Sequence, residues 1–538
     1  MTNLNVNEGI LAAYPWLKEI LAATGSRRTR ILMVADGAVN FGHNFFGLSR
    51  LVEALRQSSS PGTEVVVNTA HRSERAEGRE AEDYLFKFQK GTLLSSSGVK
   101  VYEQVWLFGY LDTAADVLPD AELKVLAEFM NSGGGVFATG DHAALGFSLC
   151  GNVPRVRAMR KWREGTPPRN DPTRHSTVLE GRDPGYQASD ESDDIPQTII
   201  PRLYQTGCEV NPHPLLTFGN TPITVLPDHM HEGECVEPTE EQLQGTYGTD
   251  PEFAEFPLMP GSDTRPSPDV IALSVSAGGR IKEKPKDFHP PVIPRGFGAI
   301  CAYDGNNVVG RVVVDASFHH FTDANLDGAG ASFGTGFFDA DGKPTKHYAA
   351  ITQYFRNIAA YLNPPDFRLR SNINLLVLLR YMYPLIEELR RDEAATMENI
   401  LEVGELTRRA ISSYLSPAEA AEYALSLLDS LEGFDALQSF VNPRLAAKAD
   451  MQGPNKLLNV HTLTNAILGV ALLCVTEQLP PKTDQVAEKL LEIESREGGL
   501  VAIVQNDVGR LANVWQPLVE QSHRMLSEFA RSYGGKEE

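Results

Sequence analysis

The sequence predicts an α/β protein: a flavodoxin-like, doubly wound, mostly parallel sheet with a large irregular insertion, followed by an all-α C-terminal domain. Three observations predict it. Apolar runs of strand length recur, with helical stretches between them, over the first two-thirds of the chain. Several runs are continuous rather than alternating, as strands covered on both faces must be. Beyond Asn363-Pro364-Pro365-Asp366 the periodicity turns almost wholly helical.

The expected strands are Ile31 to Ala35, Glu64 to Asn68, Gln104 to Phe108, Gly135 to Thr139, Ala299 to Tyr303 and Val308 to Val314. Between them, Phe46 to Gln57 and Asp120 to Asn131 carry apolar residues three or four apart, and Ser132-Gly133-Gly134-Gly135 closes the second. That βα repetition is the pattern of a doubly wound fold. The N-terminal stretch reads as an amphipathic helix, because acids interrupt its apolar residues and its basic cluster follows them, the wrong order for a secretory signal. From about Cys150 to Pro294 the pattern dissolves into Pro-, Gly-, Asp- and His-rich sequence. A structureless loop of that length is improbable, so an insertion packed over the sheet edge is expected. A helix from His347 to Leu362 then leads to the break, which divides the chain into residues 1–365 and 366–538. The second part should hold helices at Leu375 to Arg391 and Met397 to Tyr414, with another opened by the capping box Ser416-Pro417-Ala418-Glu419. Its His461 and His523 stand alone, and a bundle used for dimerisation or contact with a protein partner is expected.

Composition bounds the function. At 538 residues the chain exceeds one ordinary core. Its formal charge of −21, from 70 acidic against 49 basic side chains, repels phosphate backbones and argues against nucleic acid as a partner. Five cysteines are scattered singly, without zinc-ribbon or disulfide spacing, which suits a reducing, cytoplasmic compartment. The most apolar run, Ala466 to Val475, is about half the ~20 residues that cross a bilayer, so no membrane span is expected.

Four constellations could carry chemistry. In VADGAVNFGHN a strand runs into Asp36, with His43 further on; in an open α/β sheet ligands sit beyond the carboxyl ends of strands, and both are candidate substrate contacts. Asp36 equally suits the cap of the following turn. In GGGVFATGDHAALG, Asp141 and His142 occupy the turn where a hydrolase of this architecture holds its nucleophile, yet neither Ser nor Cys is there. Metal ligation, general-base work or substrate binding fits the pair, and a helix cap beside an incidental histidine is the plainer reading. Cys150, eight residues after His142, reads as a packed thiol. In ITVLPDHMHEGEC an extended chain would place His229 and His231 on one side, with Glu232 beside them, a donor set for zinc, manganese or iron. In VVGRVVVDASFHHFTDANL a strand delivers Asp315, Ser317, His319, His320 and Asp323, and adjacent histidines face opposite ways. Three of the four lie at carboxyl ends of strands of one sheet, which makes them one candidate site. A basic run holding Arg155 and Arg157 could bind a substrate carboxylate or phosphate, or form a solvated helix face.

Strand, Gly-x-x turn and late strand-end histidine together resemble the class I glutamine amidotransferase-like superfamily, and more closely its ThuA-like (trehalose-utilisation) branch. The resemblance covers about residues 28–150 and 296–362. It implies that Gly140-Asp141-His142 matches the amidotransferase nucleophile turn, and that His319 or His320 matches the triad histidine. The catalytic cysteine of true amidotransferases is missing there, which argues against glutaminase activity.

The favoured expectation is a metal-dependent hydrolase of a small polar substrate, anionic if the basic run holds it. A divalent metal on His229, His231 and Glu232 would lower the pKa of bound water, with Asp141, His142, Asp315, His319 and His320 as the catalytic set. No nucleotide cofactor is expected. The alternative is a non-catalytic small-molecule sensor that signals through its helical domain.

Overall fold

The computed structural model describes residues 27–58, 63–142, 144–162, 196–206, 209–219, 221–227, 233–248, 252–259, 263, 265–276, 295–305, 308–330, 336–382, 397–412, 426–428, 460–481 and 483–534. Twelve strands form its main sheet: β1 (Arg27–Ala35), β2 (Thr63–His71), β3 (Asp83–Tyr84), β4 (Gln104–Phe108), β5 (Gly135–Thr139), β6 (Arg160–Lys161), β7 (Pro196–Pro201), β8 (Val225–Pro227), β9 (Glu234–Cys235), β10 (Asp269–Ser276), β11 (Arg295–Tyr303) and β12 (Val312–Asp315). Their order is β8-β7-β10-β11-β12-β5-β4-β1-β2-β3, and β9 pairs with both β11 and β6.

From β12 to β3 every neighbouring pair is parallel. If β1, β2, β4, β5 and β12 are taken in chain order as first to fifth, they lie 2-1-3-4-5 across the sheet. Beyond β12 the direction reverses: β11, β10, β7 and β8 follow one another antiparallel. The expected strand Ala299 to Tyr303 is thus the long antiparallel β11, and the insertion does more than cover an edge, since its β7, β8 and β10 extend the sheet. Such strands escape a search for continuous apolar runs because they are covered on one face only. In β10, Ile271 is fully buried while Leu273 is 44% exposed.

The parallel strands carry two layers of helix. All five residues of β4 and all five of β5 are buried. On β1, Ile31, Met33 and Ala35 face the layer containing α1 (Ser49–Arg56) and α4 (Lys346–Tyr361), against Leu51, Leu55, Tyr354 and Phe355. Leu32 and Val34 face the other way, toward Leu123, Leu126, Phe129 and Met130 of α2 (Asp120–Asn131). Alternation of this kind follows from the two-residue period of a strand, and each fully buried Leu or Phe contributes roughly 1.5–3 kcal/mol. A short helix α3 (Asp323–Asp327) follows β12.

The break at Asn363 is part of the core. Its side-chain oxygen accepts from Thr29 Oγ1 at 3.1 Å and from Gln104 Nε2 at 2.9 Å, tying the end of α4 to β1 and β4. Helix α5 (Pro365–Met382) starts there, earlier than the expected Leu375, since proline at a helix start lacks only an N–H that would have no helical partner. With α6 (Met397–Ser412), α7 (Val460–Gln478), α8 (Val486–Glu494) and α9 (Gly499–Gly534) it forms a separate apolar core around Leu376, Ile467, Leu468, Leu472, Val475 and Val504. The apolar run Ala466 to Val475 is the centre of α7, which packs against α5, α6 and α9. Among the described residues no single helix is long and apolar enough to cross a membrane. The expected N-terminal helix and the Ser416 capping box lie outside the described residues.

Candidate functional site

In-register pairing sets Asp315 opposite Thr139, so the chains leaving β12 and β5 emerge side by side. After Thr139 the backbone makes a tight return: Asp141 N–H donates to Leu145 O at 3.1 Å and Leu145 N–H to His142 O at 3.2 Å. Gly146 closes it with φ of +91°, and a Cβ on Gly109, just past β4, would lie 2.6 Å from Gly146 Cα. Glycine is required at both positions, one for conformation and one for room. On the other side Ser317 caps a single 3-10 turn, Phe318–His320, and Phe318 N–H donates to Gly140 O at 2.8 Å.

These two turns bring Asp141, His142 and His319 together. Asp141 is fully buried; its Oδ2 lies 2.6 Å from His142 Nδ1 and 3.8 Å from His319 Nε2, and its Oδ1 accepts from Ser317 Oγ at 2.7 Å. The two histidines therefore meet at one carboxylate oxygen, inside the ~10 Å that a shared metal or small ligand would bridge. His319 Nδ1 is 3.1 Å from Asn325 Oδ1, and its ring is stacked on Phe318 with Phe46 at its edge. His320 turns the opposite way: its Nδ1 is 2.6 Å from Asp315 Oδ1, whose Oδ2 accepts from Tyr354 Oη at 2.8 Å. That buried chain of three polar groups sits beneath the site.

Asp36, His43, Arg155 and Arg157 bond other groups. Asp36 Oδ1 accepts from Tyr110 N–H at 2.5 Å and Leu111 N–H at 3.1 Å, so it stitches the end of β1 to the chain leaving β4. Burial raises its pKa to about 6, against the lowering effect of those two donors. His43 lies with Asp327, its Nε2 2.8 Å from Oδ2, and Arg50 Nε donates to the same oxygen at 2.5 Å. Arg155 is buried; its backbone N–H donates to Glu255 Oε1 and its Nη2 to Asn131 Oδ1, at the end of α2 that precedes β5. Arg157 Nε also bonds Glu255. Arg157 thus makes an internal ion pair with Glu255, and the Arg155 guanidinium bonds the neutral amide of Asn131. His229, His231 and Glu232 lie outside the described residues, although their neighbours are placed: Val225–Pro227 packs against Phe318–His320, and Gly233 N–H donates to Ala316 O at 3.1 Å. Among the described residues no group of three or more His, Cys, Asp or Glu is arranged to hold a metal ion.

Comparison with protein-family models, curated proteins and solved structures finds no match. The site's chemistry must be argued from its own residues. Two contributors carried no sequence signal for their role. Arg160 stood in the basic run, but its Nη2 donates to Asp141 O at 2.6 Å and Ala316 O at 3.0 Å, bolting the two strand ends together. Its guanidinium lies over Trp162, 4.4 Å from the ring centre, and burial lowers its pKa. Asn325 could be linked to His319 only by knowing the turn between them. Cys150, buried at the end of the helical turn Phe147–Cys150, has its thiol pKa raised by burial and packs between Thr139 O and Leu107 O.

Proposed function

We propose that this edge of the sheet hydrolyses a small polar substrate, with His142 as the base that takes a proton from water and Asp141 as the carboxylate that holds it. The supporting observation is the 2.6 Å contact between His142 Nδ1 and a fully buried Asp141 oxygen, with the imidazole itself 28% exposed. Donation from Nδ1 leaves the basic lone pair of the neutral imidazole on Nε2, the nitrogen that would take the proton. His142 Nε2, once protonated, can return the same proton to the leaving group, with His319 Nε2 beside the same carboxylate. With Arg155 and Arg157 engaged by Glu255 and Asn131, no anion-binding role is proposed for them.

The flavodoxin-like reading, and with it the resemblance to the class I glutamine amidotransferase-like and ThuA-like superfamily, is supported by the 2-1-3-4-5 strand order and by Asp141-His142 standing after the fourth strand. A divalent metal, zinc or manganese or iron, would be held by His229, His231 and Glu232. When bound, such an ion would acidify a water molecule.

The test is turnover of a panel of small esters, amides and glycosides by the full chain, compared with His142→Gln and Asp141→Asn. Loss of turnover in both variants, with unchanged melting, is the expected result. Tight binding of a panel member without turnover would overturn hydrolysis and favour a ligand sensor.

A further inference from the structure

We infer that Ser317 is the positioning residue that turns the Asp141 carboxylate toward the imidazoles of His142 and His319; the inference rests on reading Asp141 and His142 as a carboxylate-imidazole base. Three hydrogen bonds fix Ser317. Its backbone N–H donates to Asp315 Oδ1 at 3.1 Å. Its Oγ accepts the backbone N–H of His319 at 3.1 Å, a group that can donate but not accept. The hydroxyl proton is then left for Asp141 Oδ1, at 2.7 Å. Both side chains are fully buried, so water does not compete for this bond.

The consequence lies in the second oxygen. With Oδ1 held by Ser317, Oδ2 faces His142 Nδ1 at 2.6 Å and His319 Nε2 at 3.8 Å. The torsion that swings a carboxylate about its Cβ–Cγ bond is soft, so nothing intrinsic to aspartate chooses this orientation. Arg160 and Phe318 hold the same turn, but through the backbone carbonyls of Asp141 and Gly140, and neither of those bonds reaches the carboxylate. Ser317 also couples the two imidazoles, because the oxygen that orients Asp141 takes the N–H of His319 itself. It comes from a segment 176 residues away in sequence, so the hydroxyl reports directly on whether β5 and β12 are aligned.

The test uses the full-length chain with ¹⁵N-labelled histidine, the His142 resonances being assigned by their loss in His142→Gln. Wild type should show neutral His142 as the Nδ1–H tautomer with a strongly downfield Nδ1 proton. In Ser317→Ala that proton should vanish or broaden and the tautomers mix, while Ser317→Thr, which keeps the hydroxyl, restores both. A role confined to stability would change melting and leave the tautomer alone. Retention of the wild-type tautomer and downfield proton in Ser317→Ala overturns the inference. Should that variant not fold, Ser317→Cys, a weak donor of similar size, must show the same loss. If a substrate is turned over, Ser317→Ala lowers kcat roughly 10- to 100-fold with KM little changed, as for a misplaced catalytic group. The spectra need no substrate, so absence of turnover would remove the hydrolase reading alone.

Discussion

Asp323 caps a helix to which it does not belong: its Oδ2 accepts from Ser49 N–H at 3.1 Å and from the Ser49 hydroxyl at 2.7 Å, while Oδ1 accepts from Arg50 N–H at 2.8 Å. The first two N–H groups of α1 are therefore satisfied by a residue that follows the His319 turn. Leu48, at the helix's own cap position, has no side chain able to do this. The arrangement joins the loop carrying Phe46 to the loop carrying His319.

Replacing Asp323 by Ala should cost about 2 kcal/mol in urea unfolding, the upper end for a cap because the acceptor is charged and mostly buried. Asp323→Asn, which keeps one acceptor oxygen, should cost less. Equal losses in the two variants would show that cavity effects dominate over capping.

Asp36 provides a pH-dependent counterpart. Burial raises its pKa to about 6 from the ordinary 3.8. A raised carboxyl pKa means the folded state holds the proton more tightly. Its stabilising contribution is then complete below about pH 4 and is lost as pH rises through 6, an effect of roughly 3 kcal/mol. Asp36→Asn keeps an acceptor for Tyr110 and Leu111 without the charge. The stability of wild type relative to this variant should fall between pH 4 and pH 7 and then level off. A difference independent of pH would mean that Asp36 titrates normally.

Metal content is the direct check on His229, His231 and Glu232. Elemental analysis of the full chain should find about one or two transition-metal ions, lost in the His229→Ala, His231→Ala double variant. A metal-free preparation with full activity or ligand binding would dispose of the expectation.

How much of this was legible beforehand differs by element. β1, β4 and β5 stand out because burial on both faces makes them continuous apolar runs, and Asp141 and Asp315 could be placed together because parallel neighbours open on one edge. β7 and β10 were not legible, since strands covered on one face and interrupted by Pro and Ser do not differ locally from loop. The arginines misled for a related reason. A run of charges shows only that guanidinium groups are present, whereas Asn131 is what the Arg155 guanidinium bonds and Glu255, about 100 residues on, is what the Arg157 guanidinium bonds. Asn325 and Ser317 act through turn geometry, which residue type alone does not specify.

The break at Asn363 bears on independence of the two parts. Asn363 is bonded to Thr29 and Gln104, so a fragment must include it. Residues 1–365 expressed alone should fold, because the sheet's two helical layers are complete without α5 to α9. A fragment ending at residue 360 should be markedly less stable, having lost Tyr361, Leu362 and the Asn363 bonds. An unfolded 1–365 fragment would indicate that the helical part is needed to complete the α/β core.

Arg160 and Gly233 form the last coupled pair. A Cβ at residue 233 would lie 1.9 Å from Arg160 Nη2, so the guanidinium occupies space that only glycine leaves. It needs that space to reach both Asp141 O and Ala316 O. Gly233→Ala should therefore displace Arg160 and destabilise by about 1–3 kcal/mol, as overpacking does. Arg160→Met removes a costly buried charge but takes the Nη2 bonds from Asp141 O and Ala316 O, the latter keeping the N–H of Gly233, for a net loss of similar size. If the two effects share one cause, Gly233→Ala should cost much less in the Arg160→Met background, with a coupling energy on the order of 1–2 kcal/mol in a double-mutant cycle. Strict additivity would place the strain of Gly233→Ala elsewhere and detach this residue from the alignment of the two strand ends.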